Sequence, residues 1–127
     1  MKPIVIDTDI FIDYFRKFEK AVKFFEDVRN KDYLIYFSAV SETELVSGEE
    51  CNRAEVKSKL LNFLSNFNKV FIDNQIAVRA GDFRRLHNIK MPDALIAATA
   101  FVTKADLITR NVNDFKNIKE ITIKAPY

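Results

Sequence analysis

The stretch Pro3-Ile4-Val5-Ile6-Asp7-Thr8-Asp9 constrains the fold more than any other part of the chain. Ile4, Val5 and Ile6 are three β-branched residues in a row. Branching at Cβ crowds a helical turn and suits extended backbone. A continuous apolar run with polar flanks predicts a strand buried on both faces, and therefore a parallel sheet with helices on either side. The run stops at Asp7, and a second acid follows at Asp9. In open α/β sheets, ligands bind beyond the carboxyl ends of the strands, which makes Asp7 a candidate site residue. Asp7 and Thr8 are also good N-caps for a helix starting near Ile10. The sequence leaves both readings open.

The rest of the chain alternates in the manner that such a sheet requires. Phe15, Phe18, Val22, Phe25 and Val28 recur at helical spacing and predict an amphipathic helix ending near Asn30. Tyr33 to Ser38 reads as a second strand. Ser41 with Glu44 three residues on fits a capping box, and Gly48 fits a helix end. Cys51 to Phe67 carries a strong apolar helical stripe. Val70-Phe71-Ile72 reads as a third strand, and Asn74 to Asn88 as a helix with Arg79, Arg84 and Arg85 turned to solvent. Met91 to Phe101 is almost wholly small and apolar after Pro92 and Asp93, which predicts a helix buried against the sheet. Asp106 to Thr109 is a fourth strand, Arg110 to Phe115 a polar turn, and Ile121 to Ile123 a last strand. This order predicts a three-layer α/β/α sandwich with a mainly parallel central sheet and right-handed crossovers.

Length suits one domain over residues 1–127. The balance of 20 Lys and Arg against 18 Asp and Glu leaves a net charge of only +2, which excludes a binder held to polyanions by bulk charge alone. A single cysteine, Cys51, excludes an intrachain disulfide, and with one histidine, His87, argues against structural zinc. No apolar stretch approaches the roughly 18 residues of a membrane span, and the first residues lack the pattern of a secretory leader. The expected location is the cytoplasm.

Each acid near a helix start or turn has a bland explanation: Asp7 and Glu44 as caps, Asp93 as a complement to a helix dipole, Asp114 as a turn residue. Together they share a placement. Asp7 and Asp114 follow predicted strands, while Glu44 and Asp93 open predicted helices, so a parallel sheet brings all four to one edge. Clustered carboxylates raise one another's pKa, and a divalent cation relieves the conflict. Oxygen donors without His or Cys suit Mg²⁺, with Mn²⁺ a natural substitute. Such a site activates water for attack at phosphorus.

Four stretches carry a resemblance: Val5-Ile6-Asp7-Thr8-Asp9 through Ile12-Asp13; Ser41 to Glu44-Leu45; Pro92-Asp93-Ala94 through Ala100; and Thr109-Arg110-Asn111 to Asp114-Phe115. In this order and spacing they resemble the PIN domain, and more closely the VapC-like ribonuclease toxins of toxin–antitoxin pairs. The resemblance implies an Mg²⁺-dependent endoribonuclease whose acidic cluster is Asp7, Glu44, Asp93 and Asp114. Asn111 competes with Asp114 for the last position, and Thr8 and Asp9 are further candidates. It also implies an antitoxin partner and a homodimer. The aromatic surface of the Phe15–Val28 and Leu60–Phe67 helices is expected to supply the dimer interface and an apolar groove for an antitoxin segment. RNA phosphates are expected on Arg110, Arg84, Arg85 and Lys90. Two rival readings remain at this level. One is a haloacid-dehalogenase-like phosphatase with Asp7 as nucleophile and Lys90 or Lys104 recruited. The other is a PIN-like binding module without catalysis.

Overall fold

A computed structural model describes all residues from Met1 to Tyr127. One five-stranded sheet, all parallel, forms the middle layer: β1 (Lys2–Ile6), β2 (Tyr33–Ser38), β3 (Asn68–Val70), β4 (Asp106–Ile108) and β5 (Ile123–Lys124), in the spatial order β3-β2-β1-β4-β5. Seven helices cover it: α1 (Thr8–Phe15), α2 (Glu19–Arg29), α3 (Ala39–Val46), α4 (Ala54–Leu64), α5 (Asn74–His87), α6 (Met91–Thr103) and α7 (Val112–Phe115). A short 3-10 turn, Glu49–Asn52, joins α3 to α4. None of these helices is long and apolar enough to cross a membrane. The three-layer expectation holds.

β1 is central and buried on both faces, as its β-branched run requires. Alternate side chains of a strand point to opposite faces. Ile4 and Ile6 enter one apolar cluster and Val5 enters the other. The first cluster is aromatic. Phe11 packs among Phe25, Phe37, Phe67 and Phe63 at centroid distances of 5.3, 5.8, 6.0 and 6.4 Å, and Tyr14 stacks on Phe63 at 4.0 Å. The second cluster is built on small side chains: Ala94, Ala97, Ala98 and Ala100 of α6 are buried with Val5, Leu107, Ile76 and Phe83.

Several element boundaries differ from the sequence reading, each for a local reason. α1 begins at Thr8 because Asp7 takes the N-cap, its Oδ1 accepting from the Thr8 N–H at 2.8 Å. Ser41 and Glu44 form no capping box. Ser38 caps α3 instead, accepting from the Val40 N–H at 3.1 Å, and the helix starts at Ala39. Gly48 follows Ser47, the C-cap of α3, where a helix end was expected, and leads into the 3-10 turn. The expected Cys51–Phe67 helix is divided into that turn and α4. β3 lies two residues earlier than expected. Asn68 sits opposite Tyr36, and its side-chain amide donates to the Ile35 carbonyl at 3.1 Å, which pins the register and leaves Phe71 outside the sheet. The polar turn after β4 contains α7, and the last strand is Ile123–Lys124 rather than Ile121–Ile123. The aromatic helices spend most of their expected excess surface inside the first cluster.

Candidate active site

The order of the strands selects one crevice. The chain passes from β1 to β2 and β3 on one side, then returns to β4 and β5 on the other. The connections leave β1 and β4 in opposite directions, which opens a crevice at their carboxyl ends. The Asp7 N–H donates to the Ile108 carbonyl at 2.9 Å, so the ends of β1 and β4 are locked together there. Asp7 therefore both caps α1 and stands at the crevice; the two sequence readings are compatible.

Asp7 is buried, at 5% exposure. Its Oδ1 accepts from the Thr8 N–H and its Oδ2 accepts from the Thr109 hydroxyl at 2.7 Å. Burial, then the neighbouring Asp9 carboxylate and more weakly Asp93, push the Asp7 carboxyl up from 3.8 to about 7, against the opposing pull of the Thr109 and Thr8 hydrogen bonds. Asp9 is buried beside it. Its Oδ2 accepts from the Arg110 backbone N–H at 3.1 Å and lies 3.5 Å from the Thr109 hydroxyl, while its Oδ1 is buried without any partner. Burial raises the Asp9 pKa, and Asp13 adds to this, while Arg110 opposes it.

Asp93 stands in the first turn of α6 and is half-buried. Burial raises its pKa first, then the charges of Asp114 and Glu44, with Lys90 opposing. Asp93 thus feels the charges of Asp114, Glu44 and Asp9, and Asp7 those of Asp9 and Asp93. Asp114, exposed in α7, acts on Asp93. Asn111 precedes α7 and its side chain makes no hydrogen bond to the acids; its backbone N–H donates to the Thr109 hydroxyl at 3.0 Å.

Glu44 lies within α3 rather than at its start, and its carboxylate does not fold back on Ser41. The Thr8 hydroxyl donates to Glu44 Oε1 at 2.6 Å and shares a 2.8 Å hydrogen bond with Ser41 Oγ. Thr8 thus ties the end of β1 to α3.

Three of the four expected phosphate ligands have other partners. Arg84 Nε donates to the Ile89 carbonyl at 3.2 Å, and Arg85 pairs with Asp82 at 2.9 Å on its own helix. Arg110 Nε lies 2.9 Å from Asp13 Oδ2 and 3.9 Å from Asp9 Oδ2. Lys90 is exposed, just before α6, and its charge acts on Asp93.

Three residues of this network had no role assigned from the sequence: Asp13, Thr109 and Tyr127; Ser41, expected as a helix cap, instead meets the Thr8 hydroxyl. Asp13 is four residues after Asp9 on one helix face, a spacing that offered a signal. The Tyr127 hydroxyl donates to Asp13 Oδ2, and burial followed by the Asp13 carboxylate raises the Tyr127 pKa above its ordinary value. Nothing in the local sequence pointed to Tyr127.

The donor set fits a hard divalent cation in kind. It is all oxygen, it includes a carboxyl whose pKa burial and then the Asp9 charge raise to about 7, and Asp9 Oδ1 is buried with no partner. It is not a closed cage: no three acidic, His or Cys side chains already lie close enough together to grip an ion.

The profile of the PIN domain matches residues 4–121. The chain belongs to the PIN-domain family. Ribonuclease VapC10 of Mycobacterium tuberculosis is 34% identical over 98% of this chain and 92% of its own length. A toxin–antitoxin complex from Klebsiella pneumoniae contains a chain 30% identical to this one, with a TM-score of 0.82 and 98% of each chain covered. VapBC2 from Rickettsia felis, bound to a DNA fragment from its promoter, is similar in fold, with a TM-score of 0.83 at 22% identity over 97% of this chain and 98% of that one. The matched span of this PIN-domain chain runs from β1 to just before β5 and so takes in every acid of the crevice.

Proposed function

We propose that this chain is an Mg²⁺-dependent endoribonuclease and the toxin of a toxin–antitoxin pair. One observation carries the reading: Asp7 is buried between the ends of β1 and β4 beside Asp9, its oxygens met by the Thr8 N–H and the Thr109 hydroxyl, and burial followed by the Asp9 carboxylate raises its pKa to about 7. The similarity to Ribonuclease VapC10 supplies the substrate class. In this reading Asp7, Asp93, Glu44 and Asp114 hold the cation, and Mn²⁺ substitutes for Mg²⁺. When bound, the ion supplies positive charge at the scissile phosphate and acidifies a water. Thr8 orients Glu44, Thr109 orients Asp7, and Asp9 braces the loop after β4 through the Arg110 N–H. Asp114 is preferred to Asn111 for the fourth position because it is the foremost charge acting on Asp93. Lys90 is the free cation that receives phosphate on the Asp93 side. Arg110 reaches phosphate only by leaving Asp13.

A groove of about 780 Å³ runs between Tyr14, Phe15, Val22, Leu45, Val56 and Leu60. It is the natural seat for an apolar antitoxin segment, by analogy with the Klebsiella pneumoniae complex. The homodimer belongs to the same reading, since closed two-fold pairing is the commonest assembly and Phe71, Val78, Leu86 and Met91 leave large apolar side chains in solvent. The phosphatase alternative finds no support at Asp7, where the acting groups are Thr8, Thr109, Asp9 and Asp93 and no lysine is among them.

The test is cleavage of single-stranded RNA by the purified chain, with Mg²⁺, with Mn²⁺ and with EDTA. Metal-dependent internal cleavage that Asp93→Asn abolishes supports the reading. Cleavage that survives both EDTA and Asp93→Asn ends it. Sedimentation of the same material at tens of micromolar, roughly the range of weak oligomers, checks the dimer.

A further inference from the structure

We propose that single-stranded RNA leaves the acidic crevice over the corner between α1 and α2, along a cleft lined by Arg16, Lys17, Lys20 and Phe18. The inference rests on the nuclease reading and adds to it the path of the substrate. The cleft has a volume of about 600 Å³, and its lining also includes Asp13 and Glu19. Asp13 links it to the crevice in short steps. Asp13 Oδ2 binds Arg110 Nε, Arg110 binds Asp9, and the Thr109 hydroxyl stands between Asp9 and Asp7.

Three observations point to a polyanion carrying bases. First, Arg16, Lys17 and Lys20 are exposed and take part in none of the chain's ion pairs, unlike Arg85 and Arg110. Asp13 is already matched by Arg110, so Glu19 is the one other acid in the cleft lining, against three cations. Second, the cations surround an aromatic wall. Phe18 is 45% exposed and meets Tyr127 edge to face at 5.6 Å, leaving ring surface in solvent where a base can stack. Third, Lys17 sits in the left-handed region, at φ 62°. It closes α1 in a double turn: its N–H donates to the Tyr14 carbonyl and that of Phe18 to the Asp13 carbonyl, each at 3.0 Å. Glycine is the ordinary residue at such a helix end. Lysine is held there instead, as Lys104 is at the end of α6, and its charged side chain stays exposed at the corner.

The same residue supplies a clean test. Lys17→Gly removes the charge while suiting the backbone, so the variant is expected to melt at or above the parent temperature. RNA binding is read by fluorescence anisotropy on a labelled single-stranded oligonucleotide of about 12 nucleotides, within the known range of single-strand site sizes. The background is Asp93→Asn, and salt is varied. Lys17→Gly is expected to weaken binding and to lower the salt slope by about 0.7, and Arg16→Ala/Lys20→Ala by about 1.4. Phe18→Leu is expected to weaken binding several-fold, within the roughly 5- to 150-fold that one stacked base is worth, with the slope unchanged. A polyglutamate peptide of matched charge is the control. Unchanged slopes in both basic variants overturn the path. So does an equal loss of affinity for polyglutamate with no effect of Phe18→Leu, which would assign the cleft to an acidic protein segment. Mg²⁺-dependent cleavage by the parent in those cases leaves the nuclease reading standing; a parent that neither binds nor cuts RNA removes both.

Discussion

The two rims of the acidic crevice are built differently. On the β1–α1 rim, Asp7, Asp9 and Asp13 are buried and held by fixed donors: two backbone N–H groups, the Thr109 hydroxyl, Arg110 and Tyr127. On the opposite rim, Glu44 and Asp114 are exposed and Asp93 is half-buried, and their only direct bond to the inner rim is that from Thr8 to Glu44. Electrostatics accounts for the division. Carboxylates cannot be packed to coordination distance in a dry crevice without a counterion, because each desolvated charge raises the cost of the next. One rim can be fixed in advance if its charges are neutralised by protons and donors. The other rim keeps its carboxylates apart and nearer to solvent, and no three of them are gathered closely enough to grip an ion. On the proposed reading, the fold fixes one half of the site and the cation completes the other.

The largest effect should come from breaking the fixed rim. Asp7→Asn keeps the volume and the N-cap acceptor, so the chain should fold, while metal-dependent cleavage should fall by about a thousandfold or more, the several kcal/mol a metal contributes at 1.36 kcal/mol per decade. Single-turnover cleavage beside a circular dichroism spectrum measures both. A variant that keeps parental rates would show that the fixed rim does not hold the ion.

The next effect sharpens the same contrast through pH. The folded chain keeps the Asp7 proton up to about 7, whereas the unfolded chain releases it near 3.8. Between these values the folded state binds more protons, so metal-free stability is highest at the acid end and falls as pH rises through about 7. A shift of that size corresponds to a loss on the order of 4 kcal/mol. Urea unfolding in EDTA from about pH 4 to about pH 8 should show the fall, and Asp7→Asn should flatten it. Mg²⁺ at a hundredfold excess over its dissociation constant should restore about 2.7 kcal/mol above pH 7, and less at pH 5. Parallel curves for parent and variant would show that Asp7 is not the group concerned.

The same division explains what the sequence made legible. β-branching marked β1, and small apolar residues marked α6, because burial acts on residue type directly. Asp7 and Asp93 could be placed because a strand end and a helix start are local features, whereas Glu44, expected to open a helix, lies late in α3. Partners reached through tertiary contact could not be read. Thr109 meets Asp7 across 102 residues of chain and Tyr127 meets Asp13 across 114. The Ser41–Glu44 spacing matched a capping box, but Ser38 stood three residues earlier at the end of β2 and took the cap first. Arg84 and Arg85 had the composition of a phosphate patch, and only the fold shows that Ile89 and Asp82 engage them.

A smaller effect is expected where the rims are tied. Thr8→Val removes the hydroxyl that holds Glu44 and leaves Ser41 Oγ buried without that partner. A buried unmatched hydroxyl costs about 1–3 kcal/mol, and releasing Glu44 should lower cleavage by roughly tenfold, about 1.4 kcal/mol. Thr8→Ser, which keeps the hydroxyl, should recover most of the rate. Equal losses in both variants would mean that the methyl group, not the hydrogen bond, matters, and the rims would be independent.

The smallest effect should come from Tyr127→Phe. Tyr127 is 36% exposed, so the bond from its hydroxyl to Asp13 is partly open to water. Loss of such a bond costs about 1 kcal/mol. Phenylalanine keeps the ring that packs on Phe18 and Phe24. Asp13 would still hold Arg110 at 2.9 Å, and Arg110 would still neutralise Asp9. The fixed rim therefore has enough donors without Tyr127. Cleavage should stay within about twofold of the parent, under half a kcal/mol in barrier, while thermal unfolding drops by a few degrees. Asp13→Asn, which disturbs Arg110 as well, should cost more in both measurements. A tenfold loss of cleavage in Tyr127→Phe would mean that the β1–α1 rim depends on one distant hydroxyl for its order, and the contrast between a self-sufficient rim and a ligand-dependent one would fail.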